Sequence, residues 1–355
     1  TKALTQDLEL DTLFSAMALG DKFIFDVAKK VVLTSLRTPE AILYRQDILR
    51  DCLKNPTIVR RIYDLAVESI ENKKKHYWGF VSRNPSSVLH GAIEALGMFV
   101  GMLKRLRGIA DEHAKDFSSD GFVTFFAILE TELSDAYFDE IRSHLRQLKF
   151  RRGVLISAEL GKGNRGANYI LRKPHAPEPS WAKRMIAETR RVIGEKIFAE
   201  KPPAYTFVLH PRDEAGAQAL STLRGRGINL VADALAQSTD HVLSFFTMVR
   251  TELAFYVGCL NLHKQLTGKG DPTCFPLPFD AAERKHSFSD LYDICLALTL
   301  KSRVVGNDID AHGKELAIIT GANQGGKSTF LRSVGLAKLM MQCGMFVSAR
   351  AFRAN

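Results

Sequence analysis

Through the first 150 residues the apolar positions recur at steps of three and four with polar residues between them, and nowhere show the strict alternation of a half-buried strand. That period predicts successive helices over Asp7 to Leu36, Ala41 to Lys54, Ile58 to Lys75, Val88 to His113 and Val123 to Phe150. Asn55-Pro56 separates the second from the third, and Ser118-Ser-Asp-Gly121, rich in capping and turn residues, leads into the last. The texture then changes. Gly153 to Leu160 and Ala167 to Arg172 read as two arms of a hairpin around Gly161-Lys-Gly-Asn-Arg-Gly166, where Gly and Asn supply a loop longer than the two-residue minimum. A helix is predicted next over Ser180 to Glu200 and a strand over Ala204 to Leu209. Thr239 to Leu266 carries the clearest helical pattern, with Val242, Phe246, Val249, Leu253, Tyr256 and Leu260 at alternating steps of four and three. Such a seam packs along a partner helix, and a core stripe within one subunit is preferred here to a coiled coil between subunits. Three prolines within Asp271 to Pro278 then break helix and mark a boundary. Beyond it, Leu316-Ala-Ile-Ile319 is an apolar run of strand length, and Phe330 to Met341 returns to helical period.

Composition adds class rather than detail. With 355 residues, 46% of them hydrophobic and 25% charged, the chain has the balance of a globular protein of two or three domains. A net charge of +10 favours polyanionic partners such as nucleic acid, although charge alone does not select one. The five cysteines, Cys52, Cys259, Cys274, Cys295 and Cys343, are scattered without a C-x-x-C pair and read as buried thiols of a reducing compartment. The histidines show no metal-ligand spacing. No basic start precedes an apolar N-terminal stretch, and no run approaches the roughly eighteen apolar residues of a membrane span. A cytoplasmic protein without membrane partners is expected.

The candidate chemistry sits in Thr320-Gly-Ala-Asn-Gln-Gly-Gly-Lys-Ser-Thr329. Gly321, four residues, Gly326, Lys327 and Ser328 fit the P-loop pattern, in which backbone N–H groups wrap nucleotide phosphates. Glycine is required because the turn visits angles closed to a Cβ and because phosphate must approach the main chain. Lys327 would reach the β- and γ-phosphates and the Ser328 hydroxyl would ligate Mg²⁺. The apolar run before the loop suits a strand, and the helix after it would add a favourable dipole. A second cluster is electrostatic. From Arg142 to Lys173 run Arg142, Arg146, Lys149, Arg151, Arg152, Lys162, Arg165, Arg172 and Lys173 against one acid, Glu159, a balance suited to salt-sensitive, sequence-indifferent phosphate contacts.

Taken together, TGANQGGKST with Phe330-Leu-Arg332 after it, Gln342-Cys-Gly-Met-Phe-Val-Ser-Ala349, Asn307-Asp308, and the stretch Thr34 to Leu49 with Pro39-Glu40 and Tyr44-Arg-Gln46 resemble the MutS family of DNA mismatch-repair ATPases. The resemblance implies a mostly α fold: a helical core and lever domain with a small β-containing clamp-like insertion, then the N-terminal part of an α/β P-loop ATPase domain of ABC type. Residues 1–150 would form the helical core, 151–210 the mixed α/β insertion, 211–270 the returning core and lever helices, and 271–355 the beginning of the ATPase domain. It implies ATP or ADP with Mg²⁺ held by Gly321, Asn323, Gly325, Gly326, Lys327, Ser328 and Thr329. DNA would be clasped with help from Arg151, Arg152, Lys162, Arg165, Arg172 and Lys173, in a protein acting in DNA repair or recombination as a homodimer when complete. Walker B carboxylates, signature loop and switch histidine would lie downstream of Asn355, so no catalytic residue is expected within this sequence and hydrolysis would depend on those downstream groups.

Several positions depart from the family's wording. Ala322 and Gln324 replace Pro and Met without removing a phosphate contact, whereas Val304 stands where relatives often carry an aromatic that stacks on adenine. The family's mismatch-reading Phe-x-Glu wedge is matched in letters by Phe198-Ala-Glu200, which lies at a predicted helix end before Pro202-Pro203 and is read as accidental. The alternative is a non-enzymatic scaffold with a vestigial P-loop.

Overall fold

A computed structural model of the chain describes residues 2–76, 84–150, 153–164, 166–172, 213–300, 302–322 and 325–355. The predicted helix over Ser180 to Glu200, the strand over Ala204 to Leu209 and the Phe198-Ala-Glu200 string lie outside them. The described chain is mostly helical, as its apolar period requires.

The single helix expected over Asp7 to Leu36 is three: α1 (Lys2–Asp7), α2 (Leu10–Ala18) and α3 (Lys22–Val32). Left-handed backbone at Glu9 (φ 50°), Leu19 (φ 47°) and Gly20 (φ 90°) interrupts it. Asp21 then caps α3 by accepting from the N–H of Phe23 at 2.7 Å and of Ile24 at 3.2 Å. Periodicity concealed these breaks because both flanking helices turn their apolar sides inward, burying Leu10, Leu13, Phe14 and Met17 on one and Ile24, Ala28 and Val32 on the other.

Helices α4 (Pro39–Lys54), α5 (Pro56–His76), α6 (Pro85–His113), α7 (Asp120–Glu132) and α8 (Asp135–Leu148) come next. Thr38 caps α4 through the N–H of Ala41, with Pro39 in the first turn. The helix expected over Val123 to Phe150 is again divided, at Leu133-Ser134, where the Ser134 hydroxyl accepts from the N–H of Tyr137. The two residues leading into α7 are held from a distance: the carboxylate of Asp51 on α4 accepts from the N–H of Ser118 at 2.8 Å and of Ser119, the N-cap, at 2.6 Å.

The described residues fall into two compact units, one of residues 76–97 and 140–240, the other of 1–75, 98–139 and 241–355. The smaller unit contains the predicted hairpin, β1 (Leu155–Leu160) antiparallel to β2 (Gly166–Arg172), with a register irregularity between Ser157 and Glu159. It also contains the first half of α9 (Glu214–Gly268), 55 residues long and begun well before the predicted Thr239. Few side chains before residue 239 are buried, so their apolar spacing was too sparse to reveal a period. Ile156 of the hairpin rests on the α9 backbone at Gly227, where a Cβ would come within 2.4 Å of it.

In the larger unit the second half of α9 is core. Phe246, Val249, Leu253, Tyr256 and Leu260 of the seam are buried, Val242 is half-buried, and Phe246 stacks on Phe99 with centroids 5.8 Å apart. The seam is therefore an intrasubunit stripe. A mixed sheet completes the unit in the order β3-β6-β4-β5. In it, β3 (Leu277–Pro278) is parallel to β6 (Ala351–Ala354), and β4 (His286–Leu291) is antiparallel to β6 and to β5 (Asn307–Asp310). Two helices lie between these strands in sequence, α10 (Ile294–Thr299) and α11 (Lys327–Gln342).

Two expectations need correction. Leu316 to Ile319 forms no strand; Leu316 and Ile318 are each 77% exposed, because no described strand pairs with the run and no layer covers it. Windows of 18 residues within Pro85–Asp116 and Glu214–Gly268 reach mean hydropathies of 1.4 and 1.3, so helices apolar enough for a span by length and composition do exist. Counting uninterrupted apolar residues had missed them. About half of each window is buried inside the protein, 44% and 50%, as for core helices.

Candidate functional site

The turn before α11 is shaped by its glycines. Gly321 has φ 151° and Gly326 has φ 81°, both in the region that L side chains rarely adopt. Gly325 donates to the carbonyl of Ala322 at 3.1 Å, and a Cβ there would stand 3.0 Å from the same oxygen, so a side chain would fit only if the backbone gave way slightly. The first backbone bond of α11 runs from the N–H of Phe330 to the carbonyl of Gly326 at 2.8 Å. No side chain caps the helix, which leaves its leading N–H groups open to an acceptor. Lys327 folds back over the loop and donates through Nζ to the carbonyls of Gly321 at 2.7 Å and Ala322 at 2.6 Å. Ser328 is exposed and Thr329 half-buried. Of the predicted phosphate-binding residues, Gly321, Gly325, Gly326, Lys327, Ser328 and Thr329 thus share one turn; Asn323 lies outside the described residues.

Beside the turn is a hollow of about 700 Å³ whose apolar wall includes Leu296, Val304, Val305 and Ile309 and whose opposite side is the first turn of α11. Val304 is therefore on the wall of the same hollow as the loop. At its base Asp293, with a fully buried side chain, caps α10 by accepting from the N–H of Leu296 at 3.0 Å and takes a hydrogen bond from Nε of Arg332 at 2.5 Å. Arg332 also pairs with Glu9. Burial acts to lower the Arg332 pKa, but the hydrogen bond and charge of Asp293 outweigh it and hold the guanidinium above its ordinary value. At the far end of α11 the carbonyl of Gln342 accepts from the N–H of Leu36 at 2.8 Å and that of Cys343 from Arg45 at 3.2 Å. Gly344 (φ 78°) lets the chain turn against Arg45, whose Cβ lies 2.7 Å from where a Cβ on Gly344 would stand. Sequence reasoning did not single out Asp293 or Glu9. The Asx cap before Ile294 was a readable local signal for Asp293, but nothing local pointed to Glu9.

In the smaller unit, Lys162 sits exposed at the hairpin turn, and Arg172 is exposed with Nε donating to the Ser157 hydroxyl at 2.9 Å. Arg142, Arg146 and Lys149 are exposed along and just after α8. One cation was missed: the guanidinium of Arg226 on α9 lies 5.7 Å from the ring centroid of Tyr169 on β2. Glu159 is engaged by Asn168 at 2.5 Å. Arg151, Arg152, Arg165 and Lys173 lie outside the described residues, and the hairpin and the loop belong to different units.

Residues 37–269 match the family model described as MutS2 N-terminal domain, and residues 317–355 match that of MutS domain V. The chain is 55% identical over 53 residues, 14% of its length and 6% of the relative's, to the DNA mismatch repair protein MutS of Chloroflexus aurantiacus. It is 35% identical over 105 residues, 28% of its length and 11% of the relative's, to the DNA mismatch repair protein spellchecker 1 of Drosophila melanogaster. Over 50 residues it is 50% identical to the Endonuclease MutS2 of Pediococcus pentosaceus, covering 14% of this chain and 6% of that protein. These matches span only a small part of the relatives' lengths.

Proposed function

The chain belongs to the MutS family, and from that membership we propose that it binds ATP or ADP with Mg²⁺ at Gly321 to Thr329, and DNA through the basic hairpin, in a repair or recombination role. The observation that carries the nucleotide reading is the turn itself. Two left-handed glycines lead into an uncapped helix with its N–H groups free, next to an ammonium held only by two carbonyls. These groups suit a phosphate chain: Lys327 exchanges carbonyl partners for phosphate oxygens, the backbone of Gly325 to Thr329 donates, and Ser328 presents its hydroxyl to the metal. The bound metal would neutralise phosphate charge, while the aliphatic side chains of Val304 and Val305 line the hollow where the base would lie. Without an aromatic at Val304, the base is held by aliphatic contact alone. Coupling of nucleotide binding to DNA clasping through α9, and homodimerisation of the complete protein, belong to the same reading.

Replacing Lys327 by Ala tests it. A hydrogen bond to a charged group contributes about 1.5–3 kcal/mol, so fluorescence titration of the complete protein should show ATP·Mg affinity falling at least about tenfold. Unchanged affinity would favour the scaffold reading. For DNA, Arg172→Gln should reduce the slope of log affinity against log salt by about 1. A salt-independent or absent DNA interaction would refute that half of the proposal.

A further inference from the structure

The N-terminal turn before α2 is packed into the nucleotide-site side of the larger unit. The thiol of Cys295 on α10 donates to the carbonyl of Glu9 at 3.5 Å, and Leu8 lies against the α11 backbone, where a Cβ on Gly335 would meet it at 2.9 Å. Glu9 itself has φ 50°, a conformation that a non-glycine residue keeps only when its surroundings hold it. Its carboxylate reaches Arg332, whose side chain is 17% exposed and whose Nε is committed to the fully buried Asp293. Arg332 lies five residues beyond Lys327, about 7.5 Å along the helix axis. A planar guanidinium serves two carboxylates in fixed directions, which an ammonium cannot reproduce.

On its other side α2 is tied to α9. Asn261 donates to the carbonyl of Met17 at 2.8 Å and Gln265 to that of Ala16 at 2.8 Å, so both side chains satisfy the last carbonyls of α2. Gly258 brings the α9 backbone close to Met17 and Ile24, with a Cβ position 3.2 Å from Met17 and 3.3 Å from Ile24. The turn before α11 is thus joined along the helix to Arg332, and direct contacts run from Arg332 to Glu9 at the start of α2 and from α2 to α9, all inside one compact unit.

We infer that Arg332 is a positioning residue of the nucleotide site: held between Asp293 and Glu9, it sets the first turns of α11 and links phosphate binding to the docking of α2 against Asn261 and Gln265. The inference rests on the nucleotide reading proposed above. By reciprocity, if ATP·Mg firms the seat of α2, a seated α2 tightens ATP·Mg by the same factor.

The test uses the complete protein and the variant Glu9→Gln, which keeps the side chain's shape, removes its charge and leaves the buried Asp293–Arg332 pair in place. Backbone hydrogen exchange and ATP·Mg titration are read on both proteins. In the wild type, ATP·Mg should slow exchange over residues 10–18 and 258–265. In the variant that slowing should be lost while slowing over 327–342 persists, and affinity should weaken by about fivefold, the low end of measured couplings. Arg332→Lys should weaken affinity as well, and the double variant should fall short of the two effects combined, since both changes break one contact. A merely structural Glu9 would shift stability without nucleotide and leave the ATP-dependent protection of 10–18 intact; that result overturns the inference, as does unchanged affinity. Failure of the wild type to bind ATP·Mg would refute the nucleotide reading, and the inference with it.

Discussion

Replacing Arg332 by Met removes the guanidinium while keeping an unbranched chain of similar length, so packing changes little and electrostatics change greatly. The carboxylate of Asp293, with no exposed side-chain area, then retains only the N–H of Leu296 as a partner. Breaking a buried ion pair from one side costs about 3–5 kcal/mol, mostly because an uncompensated charge stays in the interior. The Glu9 arm adds little to that figure. Its side chain is 48% exposed, and a solvated pair of this kind contributes about 0–1 kcal/mol. Adding Asp293→Asn to the Met variant removes the stranded charge and preserves an acceptor for Leu296, leaving a residual cost of about 1 kcal/mol for the weakened cap. Urea unfolding of the wild type, both single variants and the double variant gives the comparison, read from midpoints at constant slope. A loss below about 1 kcal/mol in Arg332→Met would refute the reasoning. So would a double variant no more stable than Arg332→Met alone.

Other consequences are open to measurement. Burial acts to raise the pKa of Asp51, but the hydrogen bonds from Ser119 and Ser118 prevail and hold it below the ordinary 3.8. Its contribution is thus complete above the unfolded-state value and lost as pH falls through the folded one. Asp51→Asn should cost about 2–4 kcal/mol at pH 7 by weakening a buried N–H contact from Ser119 and a part-buried one from Ser118, and urea midpoints should show the gap to wild type shrinking only under acid conditions below pH 3.8. Gly344→Ala should destabilise by at least about 1–2 kcal/mol in the same assay, because φ is 78° there and the new methyl meets Arg45. Phe246→Ala, emptying a fully buried site stacked on Phe99, should cost about 3–5 kcal/mol, and a change under about 1 kcal/mol would contradict the assignment of the seam to the core.

Local chemistry made some features legible in the chain alone. Helix period, the hairpin around a Gly-rich loop, and the glycines and lysine of the turn before α11 all depend on neighbours within a few residues, and the motif strings that resembled MutS are contiguous. Where a decision depended on distant partners, the sequence was silent or misleading. The continuous pattern from Asp7 to Leu36 concealed two helix breaks, at Glu9 and at Leu19-Gly20, because the apolar period runs on across them. Leu316 to Ile319 has the letters of a strand, but a strand exists only where a neighbour completes its hydrogen bonds. The start of α7 relies on a carboxylate 67 residues earlier rather than on its own serines. At the turn before α11, the positions of Gly321, Gly325 and Gly326 were readable from the string, because a tight turn is a property of its own backbone. The support beneath it was not. Arg332 meets Asp293 from 39 residues away and Glu9 from 323, and only the folded chain, by burying the Asp293 carboxylate and bringing Glu9 to the guanidinium, makes those charges choose one another.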